Sequence, residues 1–147
     1  MADLFQDFTR SQILSDLPIA TALAAGTIVK VGSTGWTTAA DETEAQGILM
    51  VDAVAAPASD SDGVSVYSGG VVGAPAKIYV GSEGPVDVGD CECLTPVIDD
   101  ADNYTVGSKV YVGNGILYST AQNSGSAIGV VTGIDGERIK VSFKFVV

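Results

Sequence analysis

The sequence predicts an all-β domain: a small barrel, or a curled, barrel-like sandwich of short antiparallel strands, entered by an extended N-terminal arm. Three observations predict it. Eighteen glycines are spread through 147 residues, and they bracket short runs of Val, Ile, Thr and Tyr, residues that fit a pleated surface. A pattern is also written twice. Gly26-Thr-Ile-Val-Lys-Val-Gly32, the turn Ser33-Thr34-Gly35, Trp36 to Ala39 and Gly47 to Asp52 return as Gly107-Ser-Lys-Val-Tyr-Val-Gly113, Asn114-Gly115, Ile116 to Ala121 and Gly129 to Thr132. Each copy reads as a β-meander that cannot bury its apolar face alone, so the two are expected to pack together. Finally, Ile139 to Phe145 alternates strictly, with Lys140, Ser142 and Lys144 between apolar residues, the signature of a strand with one dry and one wet face.

Residues 1–25 are read as the arm and 26–147 as the β-rich domain. The arm is free of glycine and sets Leu4, Phe5, Phe8, Ile13, Leu14 and Leu17 among polar residues. Ser11 to Leu17 has room for a short helix ending at Pro18, because the residue before a proline disfavours helix. Burying Phe5 and Phe8 would contribute about 1.5–3 kcal/mol each, whereas two exposed aromatic rings would be a solubility liability.

In the domain, Ile28–Val31 and Trp36–Ala39 form the first expected hairpin, and Ile48–Val54 is an apolar run expected to cross the interior. Val64–Tyr67 and Val71–Val72 follow after a loop that carries Pro57, Asp60 and Asp62. Lys77-Ile-Tyr-Val-Gly81 echoes Lys109-Val-Tyr-Val-Gly113, and Val86 to Leu94 contains a turn at Gly89-Asp90. Gly, Pro and Asp punctuate nearly every run, which leaves little room for helix after residue 25.

Composition narrows function. Seven basic residues against eighteen acidic ones give a net charge of −11. A phosphate backbone is gripped by Lys and Arg, so this balance argues against nucleic acid, and against anionic membranes for the same reason. No segment has the apolar length of a membrane span. The N-terminus lacks the positive region of a secretory signal, which makes a cytosol the default place of synthesis.

Chemistry is sparse. Histidine is absent, which removes the commonest general base and the Ser-His and Cys-His nucleophile pairs. Cys91 and Cys93 flank Glu92 and would share one face of a strand, a spacing poorly suited to a disulfide; they are read as half-buried free thiols. Asp60-Ser-Asp62 and Asp99-Asp100-Ala-Asp102-Asn103 hold the carboxylates that calcium takes. Neither has the EF-hand spacing, and both read as solvated turns. No catalytic residue, cofactor site or metal site is assigned.

The order of these segments carries a resemblance. An apolar arm leads into Ala-Gly-Thr-Ile-Val-Lys-Val, Gly-Trp-Thr-Thr-Ala and Gln-Gly-Ile-Leu-Met-Val-Asp-Ala, then Val-Ser-Val-Tyr-Ser-Gly-Gly-Val, Val-Gly-Ser-Lys-Val-Tyr-Val, Ile-Gly-Val-Val and Ile-Lys-Val-Ser-Phe. Over residues 26–147 the chain resembles the head decoration, or capsid cement, proteins of tailed bacteriophages. The resemblance implies a β-tulip or barrel-like domain that sits on the outer capsid surface of the virion after synthesis in the host bacterial cytoplasm. It implies a homotrimer whose partner is the major capsid protein, with no catalytic residues. Phe5, Phe8, Ile13 and Leu14 are the expected contacts with the capsid or a neighbouring subunit. The alternative is a receptor- or glycan-binding module of a fibre or adhesin, which would use Tyr67, Tyr79, Tyr104, Tyr111 and Tyr118.

Overall fold

A computed structural model describes residues 12–55 and 77–145. The strands expected at Val64–Tyr67 and Val71–Val72 lie outside the described residues, as do Phe5 and Phe8. The chain is all-β, with one sheet curled into half a barrel. It contains twelve described strands: β1 (Ile13–Leu14), β2 (Ile28–Gly32), β3 (Gly35–Thr38), β4 (Gly47–Leu49), β5 (Asp52–Val54), β6 (Lys77–Tyr79), β7 (Val86–Asp87), β8 (Cys91–Thr95), β9 (Lys109–Gly113), β10 (Ile116–Tyr118), β11 (Gly129–Asp135) and β12 (Arg138–Phe143).

Two five-stranded sheets carry the fold, and they are copies of one another. In pairing order the first is β3-β2-β4-β7-β1 and the second is β10-β9-β11-β12-β8, with every pairing in both antiparallel. The registers also correspond. Val29 lies opposite Gly47 as Val110 lies opposite Gly129, and Val31 faces Trp36 as Val112 faces Leu117. The strand that precedes each copy flanks it in the same way. Trp36 donates its N–H to the Pro18 carbonyl and accepts from Ala20, each at 2.8 Å, as Leu117 donates to Val97 and accepts from Asp99, each at 3.0 Å. The repeat expected from the glycines therefore extends upstream to β1 and downstream to β7.

Each copy departs from a meander in one respect. Its first strand, β2 or β9, is central, with the hairpin partner on one side and the third strand on the other. Gly47 and Gly129 allow the third strand to approach its outer neighbour. A Cβ at Gly47 would stand 2.6 Å from Val86 Cγ1, and one at Gly129 would stand 2.6 Å from the Ser142 carbonyl oxygen. The copies are tied through Gly115, whose φ of +78° suits glycine. Its carbonyl accepts from Ile28 and its N–H donates to Ala39, and an added Cβ would lie 2.7 Å from Thr27 Cγ2.

The expected run Ile48–Val54 is split between β4 in the first sheet and β5, which pairs in parallel with β6. A parallel pair needs a long crossover, and 22 residues separate Val54 from Lys77. Lys77–Gly81 thus repeats the β9 sequence without occupying its place. The Gly89-Asp90 turn joins β7 in one sheet to β8 in the other, rather than closing a hairpin. Ser11–Leu17 has room for a short helix, but Ile13 and Leu14 form a strand paired with Asp87 and Val86. The only described helix is a 3-10 turn at Ala101–Asn103.

Two cores result. The first gathers Ile19, Val29, Trp36, Leu49, Ala53, Ile78 and Val86. The second gathers Val110, Val112, Leu117, Val131, Val141 and the stacked pair Phe143–Phe145, whose ring centroids are 5.3 Å apart. Ile28 and Ile48, opposite each other on the far side of the first sheet, join the second core. Along β12 the odd positions are buried and Lys140, Ser142 and Lys144 are exposed, as the alternation requires.

Candidate functional site

Of the four contact residues expected from the sequence, the structure describes two. β1 is held at its start by the buried carboxylate of Asp87, which accepts from the N–H groups of Gln12 and Gly89 at 3.0 Å. The Val88 N–H closes the pairing on the Gln12 carbonyl. Alternation then separates the two side chains. Leu14 turns inward and packs on the first core together with Leu17, while Ile13 faces solvent at 53% exposure. From Gln12 onward the expected arm is knitted to the domain, and Ile19 is fully buried.

Other exposed apolar residues rim the junction of the sheets. A cleft of about 400 Å³ lies between β4 and β8, with Met50 and Leu94 at its mouth. Its one carboxylate, Asp52, accepts the Ala25 N–H at 2.8 Å. Cys93 lines the same cleft and Cys91 is buried behind it, with the two Sγ atoms 3.9 Å apart. Both are free thiols on one face of the strand, as expected. The hydrogen bond between the two thiols, reinforced by burial, pushes Cys91 up, and the same bond pulls Cys93 down.

The Asp99–Asn103 segment is a built turn. Asp99 accepts from the Tyr104 hydroxyl at 2.7 Å and from Asn103 at 3.0 Å, and Asp100 accepts from the Asp102 N–H at 3.0 Å. Burial and the Asp99 carboxylate raise the Tyr104 phenol. Asp60 and Asp62 lie outside the described residues. Among the described residues no three His, Cys, Asp or Glu side chains converge as metal ligands would. Of the tyrosines considered for glycan contact, Tyr67 lies outside the described residues and Tyr104 is buried. Tyr79, Tyr111 and Tyr118 are half-buried.

Sequence reasoning missed Glu42. It is 6% exposed and accepts the N–H groups of Gln122, Asn123 and Gly125 at 2.9–3.0 Å. Its partners are some eighty residues away, beyond the reach of any local pattern. The neighbouring Asp41 and Glu44 are held by Thr43, Asn123 and Lys30. This acidic stretch fastens the loop after β10 to the loop after β3.

No family model, curated protein or solved structure matches this chain.

Proposed function

We propose that this chain is a structural virion protein: a capsid decoration protein of a tailed bacteriophage that binds the outer shell as a homotrimer and cements neighbouring capsomers against the pressure of packaged DNA. The observation that carries this reading is the β1 edge. Ile13 stands exposed there, close in sequence to Phe5 and Phe8. Adhesion of this kind works by shape and by removing apolar surface from water, and it asks no chemistry of the protein. Three linked copies would bind with an avidity above that of one. A net charge of −11 per copy requires the contacts to be apolar or charge-paired.

The test is co-sedimentation with empty expanded capsids, using full-length protein, a deletion of residues 2–11, and Ile13→Asp. The deletion stops before Gln12 because β1 belongs to the folded unit. Saturating decoration by full-length protein and loss of it in both variants is the expected result. Equal saturation by the deletion would remove the arm from the reading, and no binding by any form would remove the capsid.

A second reading, a glycan- or receptor-binding module, is favoured by one observation: Tyr111 and Tyr118 face each other across β9 and β10. Binding on a glycan array that Tyr118→Ala abolishes, with no capsid binding, would establish it instead.

A further inference from the structure

Three of the seven basic residues stand on the second sheet, Lys109 on β9 and Arg138 and Lys140 on β12, and a fourth, Lys144, follows just beyond β12. Two are already paired, Arg138 with Asp135 at 2.7 Å and Lys140 with Glu92 at 3.2 Å. Lys109 and Lys144 are exposed and have no carboxylate partner among the described residues. They share a shallow groove of about 360 Å³ with Val130, which is itself 42% exposed. Two free cations beside an apolar floor are conspicuous in a chain that carries −11.

The internal repeat gives this face further meaning. Lys109 and Val130 lie opposite each other as Ile28 and Ile48 do in the first sheet. The Ile pair is buried inside the chain against the second core. In the second copy the same face is open, and lysine stands where isoleucine does.

The complementary surface is on the same sheet. At the far end of the β11–β12 ribbon, Asp99, Asp100 and Asp102 share a polar groove with Glu137 of the hairpin tip. Seven residues of β11 separate the two ends, a distance of about 20 Å. Each end repels its own kind and attracts the other, so like-to-like pairing is disfavoured and head-to-tail pairing favoured. We propose that copies of this chain associate head to tail, with the Lys109–Lys144 groove of one copy seated on the Asp102–Glu137 rim of the next. Such a contact is heterologous, and it closes into a ring when the rotation permits. It deepens the oligomer proposed above and is independent of the capsid.

Sedimentation velocity tests it on the full chain with Lys109→Glu/Lys144→Glu, with Asp102→Lys/Glu137→Lys, and with an equimolar mixture of the two variants. All four side chains are exposed, and circular dichroism checks that each variant folds. Wild type is expected to associate in low salt, and to weaken about tenfold or more in 0.5 M salt as screening sets in. Each variant alone is expected to be monomeric, and the mixture to regain the wild-type mass because the reversed patches are again complementary. A monomeric wild type at low salt overturns the proposal, as does an oligomer indifferent to either reversal or a mixture that stays monomeric. Capsid co-sedimentation of the same samples reads capsid binding separately, since a monomer that still decorates shells overturns the head-to-tail contact and the homotrimer but leaves capsid binding standing.

Discussion

Glu42 is charged and buried, and its neighbours explain how both can hold. Desolvation alone would raise its pKa, yet the converging N–H groups of Asn123, Gly125 and Gln122 outweigh it and lower the pKa below the ordinary 4.5. A group depressed in the folded state contributes stability that is fully present above its unfolded pKa and lost as pH falls through the folded one. Glu42→Ala strands three backbone donors and is expected to cost about 2–4 kcal/mol at pH 7. Glu42→Gln keeps an acceptor and loses only the charge, so its deficit against wild type should be full at pH 7 and shrink as pH falls below 4.5 and on through the lowered folded value. Urea midpoints at pH 7 and pH 3 measure both; a deficit unchanged with pH would remove the charge from the account.

Gly115 makes a second demand at the same scale. Its φ is +78° and the space for a Cβ is already taken by Thr27, whereas Gly107, at φ +96°, has nothing within 4 Å. Gly107→Ala therefore carries backbone strain alone, about 1 kcal/mol. Gly115→Ala adds crowding and threatens the bonds to Ile28 and Ala39, so it should cost about 2 kcal/mol more. Equal costs in chemical denaturation would mean that the hairpin tip does not tie the two copies together.

At the scale of elements, β12 was fully legible, because strict alternation states both the strand and its buried face. The repeat was legible in the glycine spacing, which Gly26–Gly32 and Gly107–Gly113 share. Strand order was not, since a local pattern says which residues pair across a tight turn and nothing about which strand becomes central. Ile48–Val54 looked like one strand because every residue but Asp52 is apolar; the break at Met50 and Val51 exists because β4 and β5 have different partners. Ser11–Leu17 leaves room for a short helix because Pro18 would end one, and nothing local in the sequence shows that Ile13 and Leu14 pair with Asp87 and Val86 instead. Of the candidate site, the apolar character of Ile13 and Leu14 was visible, but not that they divide between solvent and core. That division makes a prediction. Ile13→Asp should change stability by less than about 1 kcal/mol while abolishing shell binding, and Leu14→Asp should destabilise the first sheet as well. If thermal melting shows the two substitutions equally disruptive, Ile13 is a packing residue and the edge is not a contact.

At the scale of the whole molecule, the two five-stranded sheets are copies of one unit made interdependent by a few residues on the back of the first sheet. Ile48 and Leu49 are neighbours, both nearly inaccessible, and they point to opposite faces. Leu49 belongs to the first core and Ile48 to the second. Each sheet alone would leave an apolar face in water, so neither is expected to survive the loss of the other. Leu49→Ala and Ile48→Ala should each cost about 2–5 kcal/mol, and each should leave a single cooperative unfolding transition. Hydrogen exchange makes the argument local: the slowest amides of β2 and β11 should lose protection together, by the same amount, in both variants. Were the copies autonomous, Leu49→Ala would release β2 while β11 kept its protection, and calorimetry would resolve two transitions where one is expected.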